Sequence, residues 1–98
     1  DRLILDPGFG FGKALAHNYQ LLNQLENFHQ LGLPLLVGIS RKTMIGKVLN
    51  DRPADQRISG SIAAAVIAAM KGAAILRVHD VAETHDAVQI VEATLVKL

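Results

Sequence analysis

The sequence contains no cysteine, which excludes disulfide bridges and thiolate metal sites. This absence fits a reducing compartment, and we expect the cytoplasm. Neither sign of charge is in excess, because ten basic and nine acidic side chains give a net charge of +1. A nucleic-acid surface needs clustered Lys and Arg, so we expect no nucleic-acid partner.

Long hydrophobic runs are also missing. The longest apolar stretch, residues 62–70, is far shorter than the roughly 20 residues that a helix needs to span a bilayer, so we expect no membrane span. No signal peptide opens the chain, and we interpret its abrupt start as the tail of a longer protein. Half of the residues are hydrophobic, which predicts a folded chain of 98 residues, either one small domain or a piece of a larger one.

What the sequence does contain is an alternation of strand and helix patterns. Apolar runs at 3–5, 35–37 and 75–78 predict three strands that are covered on both faces. Helical spacing predicts helices over 17–31, 43–49 and 82–96, and an Ala-rich helix that has residues 59–61 in or near its entry and runs to about 71. This order implies parallel strands with right-handed crossovers, in either a slice of a (β/α)8 barrel or a small doubly wound sheet. In both architectures ligands bind at the carboxyl ends of the strands.

Charged and polar residues gather at those predicted ends. The three groups are Asp6 with a glycine-rich loop, Ser40-Arg41-Lys42-Thr43, and Arg77-Val78-His79-Asp80. A structural alternative is that Asp6 simply pairs with Lys42 or Arg77. Ionisable groups at all three strand ends favour a binding site, because buried charge is costly without a partner or a ligand.

The residue types indicate which ligands the site would take. Arg77 and His79 are two positions apart and share one face of a strand, which favours phosphate or diphosphate. Thr43 opens a helix that could hold a weaker anion such as a carboxylate. Asp6 suits the N–H edge of an aminopyrimidine, and Phe9 or Phe11 could stack on a flat ring or anchor the loop in the core.

Several standard motifs are not met. The spacing of Gly8, Gly10 and Gly12 fits neither the dinucleotide fingerprint nor the P-loop. We expect His17, His29 and His85 to lie on the surface, without metal-ligand spacing. The same holds for Lys13, while Arg57 is a candidate to brace the site.

Four segments, in this order and spacing, resemble one known family. They are ILDPGFGFGK (4–13), LLVGISRKTMIG (35–46), RISGSIAAAVIAAMKGA (57–73) and LRVHDV (76–81). Together they resemble the last three βα units of dihydropteroate synthases of the bacterial type, over nearly all of the chain.

The resemblance implies a fold and a reaction. These enzymes are (β/α)8 barrels that join 4-aminobenzoate to the methylene of a dihydropterin diphosphate and release diphosphate. The family uses Mg²⁺, is usually homodimeric, and is the target of sulfonamides, which mimic 4-aminobenzoate. By this resemblance, residues 1–98 are the C-terminal part of a pterin-binding barrel domain whose N-terminal part is absent.

The resemblance also implies residue roles. Asp6 matches the carboxylate that grips the amino edge of the pterin, and Lys42 matches the catalytic lysine between the two substrates. Arg77 and His79 match the catalytic pair that binds the diphosphate. Phe11 matches an aromatic residue beside the aminobenzoate ring. Thr43 stands where the family commonly has Ser, near the aminobenzoate carboxylate. No metal ligand is expected in this chain, because the metal-binding Asn belongs to the missing part.

A full barrel needs about 250 residues, so we expect this chain alone to have no synthase activity. The apolar residues of 61–70 lie nearly all round the predicted helix, which favours burial by a partner subunit or by a missing helix. Two alternatives stay open: a stand-alone phosphate-binding module without catalysis, and a structural fragment without a ligand.

Overall fold

The computed structural model describes residues 3–10 and 14–95 of the chain. Short strands and helices alternate along these residues, in the order that the sequence predicts. The strands are β1 (Leu36–Val37) and β2 (Ile75–Leu76); the α-helices are α1 (Leu15–Asn23), α2 (Thr43–Val48), α3 (Ile58–Met70) and α4 (Val81–Leu95); and 3-10 helices cover Leu25–Leu31 and Ala54–Gln56. Within the described residues, no helix combines the length and the hydropathy that crossing a bilayer requires.

Strand β1 lies between two parallel neighbours. On one side it pairs with β2, with Leu36 opposite Ile75. On the other side Leu5 forms a parallel bridge with Leu35, and the N–H of Leu5 donates to the carbonyl of Pro34 at 2.9 Å. Because all three segments run in the same direction, their carboxyl ends lie at one edge of the sheet.

The two outer segments are shorter and more exposed than the sequence predicts. The run 3–5 forms one bridge only, and Leu3 and Ile4 are 67% and 52% exposed. The run 75–78 is a strand over Ile75–Leu76 alone, with Ile75 39% exposed. Burial on both faces is therefore wrong for these outer positions, because nothing else in the described part of the chain covers them.

The helix predicted over 17–31 is divided into two. Helix α1 ends at Asn23, and Gln24 leads into the 3-10 helix Leu25–Leu31 with φ −104° and ψ 17°. Gly32 then ends that helix with φ 68°, as the sequence predicts, since glycine enters the left-handed region without a Cβ clash. The other three helices agree with the prediction, and α3 begins at Ile58, beside the predicted entry. Residue 96, the predicted end of the last helix, lies outside the described residues.

Helix α3 packs against α4, and its residues Ala64 and Ala68 belong to the core around β1. Its buried residues are small: Ser61, Ala64, Ala65 and Ala68. Its large residues Ile67 and Met70 are 41% and 55% exposed. The sequence predicts that this helix is buried on a second side as well. The described residues do not cover Ile67 and Met70, so they do not provide that burial.

The core lies around β1. Leu25 and Leu35 are fully buried, and Phe9 is 1% exposed. Each such side chain stabilises the fold by roughly 1.5–3 kcal/mol. Of the two roles that the sequence leaves open for Phe9, anchoring in the core is therefore confirmed, and it fixes the loop after Leu5 against the strand. The remaining core residues are Leu22, Val37, Ile39, Met44, Ile45, Ala64 and Ala68.

Candidate functional site

The loops after β1 and β2 border a cavity of about 610 Å³, here called the strand-end cavity. It is lined by Gly38, Ser40, Arg41, Lys42, Ala54, Arg77, Val78 and His79. None of these lining residues is acidic, while three are Arg or Lys. The composition of the cavity therefore favours an anionic ligand.

The guanidinium of Arg77, the first residue after β2, lies against the backbone of Gly38. A Cβ built on Gly38 would lie 3.1 Å from both Nε and Nη2 of Arg77. The N–H of Arg77 donates to the carbonyl of Val37 at 3.0 Å, which ties the base of this residue to β1. Glycine at position 38 thus lets the guanidinium approach the neighbouring strand closely.

His79 is held by the buried hydroxyl of Ser40. The Ser40 Oγ accepts the backbone N–H of His79 at 3.2 Å and lies 3.0 Å from its Nδ1. When the hydroxyl donates to Nδ1, the neutral imidazole carries its proton on Nε2. Nε2 is then a hydrogen-bond donor for an anion in the cavity.

Arg41 links the loop after β1 to the loop after β2. Its guanidinium donates to both carboxylate oxygens of Asp80, at 2.7 and 3.3 Å. Its N–H donates to Ser61 Oγ at 2.8 Å, and its carbonyl accepts Nη1 of Arg57 at 2.8 Å. The bracing role suggested for Arg57 by the sequence is therefore supported by a direct contact.

This ion pair changes the pKa of both partners. The hydrogen bond from Arg41 lowers the pKa of Asp80 below its usual range, although partial burial opposes the shift. The same hydrogen bond raises the pKa of Arg41. Both groups are therefore ionised at neutral pH.

Lys42 also borders a second cavity, of about 690 Å³, here called the loop cavity. Its Nζ donates to the carbonyl of Phe9 at 2.8 Å, and a Cβ on Gly10 would lie 3.6 Å from its Cδ. The lysine therefore crosses from the loop after β1 to the loop after Leu5. The loop cavity is lined by Phe9, Gly10, Leu15, Asn18, Arg41, Lys42, Thr43, Met44 and Lys47.

Asn18 fixes the loop after Leu5 from the side of helix α1. Its side chain is buried, and its Oδ1 accepts the N–H of Gly10 at 2.8 Å. Gly10 has φ 88°, a conformation that glycine adopts without a Cβ clash. The role of Asn18 has no signal in the sequence, because no local pattern shows that a helical amide contacts a loop residue eight positions earlier.

The structure brings together some of the predicted site residues and not others. Lys42, Arg77 and His79 line the strand-end cavity, and Thr43 lines the loop cavity. Asp6 is exposed and lines neither cavity, since its Oδ1 accepts the N–H of Gly8 at 2.9 Å in a tight turn. Phe11 lies outside the described residues, and so its predicted role stays a prediction.

The histidines outside the strand ends are exposed, as predicted. This applies to His17, His29 and His85. The ring of His29 makes one hydrogen bond, to the carbonyl of Lys71 at 2.8 Å. Lys13, also predicted to be exposed, lies outside the described residues. Among residues 3–10 and 14–95, no three His, Asp or Glu side chains gather into a potential metal site.

Parallel strands that alternate with helices, with a basic cavity at the strand ends, place the chain in the α/β class of proteins. Residues 1–79 match the family model of the pterin binding enzymes. This match covers most of the chain, which therefore belongs to the pterin binding enzyme family.

Individual relatives agree with the resemblance that the sequence motifs carry. The chain is 64% identical over 95 residues to the dihydropteroate synthase of Escherichia coli (strain K12) and 61% identical over 94 residues to that of Haemophilus influenzae. These matches cover 97% and 96% of this chain but 33% and 34% of the relatives. The chain thus spans about a third of the length of these curated relatives.

Solved structures match equally well. The crystal structure of the Yersinia pestis dihydropteroate synthase superposes with a TM-score of 0.91 at 66% identity, over 93% of this chain and 37% of that one. The Xanthomonas albilineans enzyme with 4-aminobenzoic acid gives 0.94 at 48% identity, over 99% of this chain and 36% of that one. The chain therefore has the α/β fold of a segment of dihydropteroate synthases.

The lowered pKa of Asp80 predicts an acid dependence of stability. In the unfolded chain the carboxyl has a pKa of about 3.9, above its folded value. The ion pair with Arg41 therefore stabilises the fold above that pH, and this contribution is lost as the pH falls through the folded pKa. We expect Asp80→Asn to lose less unfolding free energy between pH 6 and pH 2.5 than the unsubstituted chain, as measured by urea unfolding.

Arg41→Gln provides the matched comparison, since it removes the cation that lowers the pKa. It should reduce the acid dependence in the same way. An equally steep acid dependence in Asp80→Asn and the unsubstituted chain would show that the pair does not stabilise the fold.

Proposed function

We propose that this chain is the leaving-group-binding part of a dihydropteroate synthase. The complete transferase would join 4-aminobenzoate to a (7,8-dihydropterin-6-yl)methyl diphosphate, giving dihydropteroate and diphosphate in folate biosynthesis. One observation carries the proposal: Lys42, Arg77 and His79 converge on a single cavity with no acidic lining residue. Sequence identities of 64% to the Escherichia coli synthase and 66% to the Yersinia pestis synthase support the proposal.

We place the chain as the last three βα units of a (β/α)8 barrel, forming the C-terminal part of the domain. The parallel order of segment 3–5, β1 and β2 supports this placement. The exposure of Leu3, Ile4 and Ile75 supports it as well, because further strands and helices of a barrel would cover them. A lone sheet with such edges is prone to pair with other chains.

The proposed chemistry depends on stabilising the leaving group. The amine nitrogen of 4-aminobenzoate attacks the pterin methylene, the C–O bond breaks, and its electron pair leaves with the diphosphate, while the amine loses a proton. Arg77 and the Nε2–H of His79 would hold the diphosphate as its negative charge grows. Preorganised donors of this kind lower a barrier without rearranging during the reaction.

Lys42 borders both cavities and would therefore lie between the two substrates. The diphosphate end of the pterin substrate fits the strand-end cavity, which contains Arg77 and His79. The loop cavity, with Thr43 and Lys47, would take 4-aminobenzoate and its carboxylate. A synthase from Xanthomonas albilineans has been crystallised with 4-aminobenzoic acid, and one from Yersinia pestis with a sulfonamide drug. We therefore propose sulfonamides as inhibitors of the complete enzyme.

The proposal keeps the family role of Asp6 as the carboxylate that meets the N–H edge of the pterin. Asp6 is exposed, and so it is accessible to a ligand that approaches the loop after Leu5. Phe11 keeps its predicted place beside the aminobenzoate ring.

Three further expectations stay predictions. Mg²⁺ would be held by the N-terminal part of the complete enzyme, as the family resemblance implies. Homodimer formation would cover the apolar groove of Val66, Met70, Ala87, Ile90, Val91 and Thr94 between α3 and α4. The cytoplasm is expected for the complete enzyme.

The alternative is a stand-alone phosphate-binding module without catalysis. The basic lining of the strand-end cavity fits this alternative as well, because holding an anion there needs no contact to a pterin. Such a module would bind inorganic pyrophosphate but would not bind a pterin.

The activity of a completed enzyme tests the proposal. The isolated chain should show no turnover of dihydropterin diphosphate and 4-aminobenzoate. In a chimera, here called the Yersinia pestis exchange enzyme, this chain replaces the matching segment of the Yersinia pestis synthase. This exchange enzyme should form dihydropteroate, because the two sequences are 66% identical. Turnover by the isolated chain, or a folded but inactive exchange enzyme, would contradict the proposal.

Binding of pyrophosphate tests the cavity itself. Arg77→Gln should weaken pyrophosphate binding by roughly tenfold or more, as expected for loss of a charge-assisted hydrogen bond of about 1.5–3 kcal/mol. Isothermal titration calorimetry on the chain measures this directly.

Arg52→Gln is the matched control, because it removes the same charge from an exposed loop residue that lines neither cavity. It should leave the affinity within about twofold, the ordinary size of a screened surface effect. Equal losses in both variants would mean that net charge, and not the cavity, binds the anion.

A further inference from the structure

Asp80 lies beside the strand-end cavity without lining it. It follows His79 directly in the loop after β2, and its carboxylate bonds Arg41 in the loop after β1 at 2.7 and 3.3 Å. Only 10% of its side chain is exposed. Of the ion pairs among residues 3–10 and 14–95, this is the one that joins the two strand-end loops.

Arg41 has a backbone conformation that needs support from its surroundings. Its φ is 58°, in the left-handed region that a side chain with a Cβ disfavours. Ser61 Oγ accepts its N–H, Arg57 donates to its carbonyl, and Asp80 holds its guanidinium. Strained residues of this kind persist where several contacts fix them, and they cluster at functional sites.

Three consecutive residues of this loop hold two other segments of the chain, the loop after β2 and the loop after Leu5. Ser40 holds His79, Arg41 holds Asp80, and Lys42 holds the carbonyl of Phe9. Planar peptide bonds leave only φ and ψ of each residue free to rotate. A change in φ or ψ of Arg41 therefore displaces the adjoining residues Ser40 and Lys42. The geometry of Lys42 and His79 is therefore coupled through Arg41.

We propose that Asp80 is a positioning residue of the synthase site. Acting through Arg41, it sets the position of Lys42 relative to His79 and Arg77, and it touches neither substrate. This inference rests on the proposed function, because the groups that it positions are those assigned to the leaving diphosphate.

A merely structural role for Asp80 has a distinct signature. Asp80 directly precedes α4, and its carbonyl accepts the N–H of Thr84 at 3.0 Å. In a merely structural role, Asp80 would do no more than start that helix. Asn caps a helix about as well as Asp. Asp80→Asn therefore preserves the start of the helix while it removes the charge that holds Arg41.

The test is a double-mutant cycle in the Yersinia pestis exchange enzyme described above. Asp80→Asn should lower kcat/KM for the dihydropterin diphosphate roughly tenfold, which is less than the ~100-fold that a 1 Å displacement can cost. The loss should fall mainly on kcat, with smaller changes in the KM of both substrates, because Lys42 borders both cavities. In the Arg41→Gln background, Asp80→Asn should have no added effect, because the two residues act as a unit.

Two further variants complete the design. Glu26→Gln removes a carboxylate from the distant pair with Lys71 and should leave all kinetic constants unchanged. Arg41→Lys keeps the charge but cannot form the bidentate hydrogen bond to Asp80. It should change the same kinetic constants as Asp80→Asn, with a smaller loss of kcat/KM. This variant decides the question if Asp80→Asn does not fold.

The outcomes separate this inference from the proposed function. An inactive but folded exchange enzyme without further substitution overturns both. Wild-type kinetic constants in folded Asp80→Asn, even with a lower Tm, overturn the positioning role alone and leave the proposed function standing. Additive losses in the double variant would show that Asp80 does not act through Arg41, and they overturn the inference as well.

Discussion

The parallel pairing of β1 with its neighbours is the constraint on which the site depends. The pairing of Leu36 with Ile75 and the bridge from Leu5 to Leu35 set the direction of three chain segments. Because these segments are parallel, the loops that follow them meet at one edge. An antiparallel arrangement would send the groups after Leu5 and after Ile75 to the opposite end, and no shared cavity would form.

Close backbone packing then turns this edge into an anion site. Gly38 lets the Arg77 guanidinium lie against β1, and the Lys42 ammonium donates to the carbonyl of Phe9 in the loop after Leu5. The carboxylate of Asp80, which lies beside the strand-end cavity, is paired with Arg41. The cavity therefore keeps its positive character while the loops are cross-linked by charge.

Part of this arrangement could be predicted from the sequence, because local patterns carry it. The apolar runs located the strands, Gly32 marked a helix end, and the position of Lys42, Arg77 and His79 after apolar runs placed them at one edge. The exposure of Leu3 and Ile75 could not be predicted in this way. An apolar run indicates that a strand is suited to burial, and it does not say whether the covering element lies in the same chain.

Contacts between distant segments were also out of reach. Asn18 meets Gly10 only because α1 folds back on the loop, and Asp80 meets Arg41 only because their strands pair 39 positions apart. The apolar residues of 17–31 keep helical spacing across Gln24, so this spacing did not predict that the helix divides there. The four motifs resembling dihydropteroate synthases gave the family, whereas these supporting contacts had to come from the structure.

The central claim is that parallel strands bring Arg77 and His79 together to hold a diphosphate. The most direct measurement is a crystal structure of the Yersinia pestis exchange enzyme soaked with dihydropterin diphosphate. The account predicts phosphate oxygens within hydrogen-bond distance of the Arg77 guanidinium and of His79 Nε2, in the strand-end cavity. A diphosphate bound elsewhere, with Arg77 and His79 making no contact to it, would contradict the account.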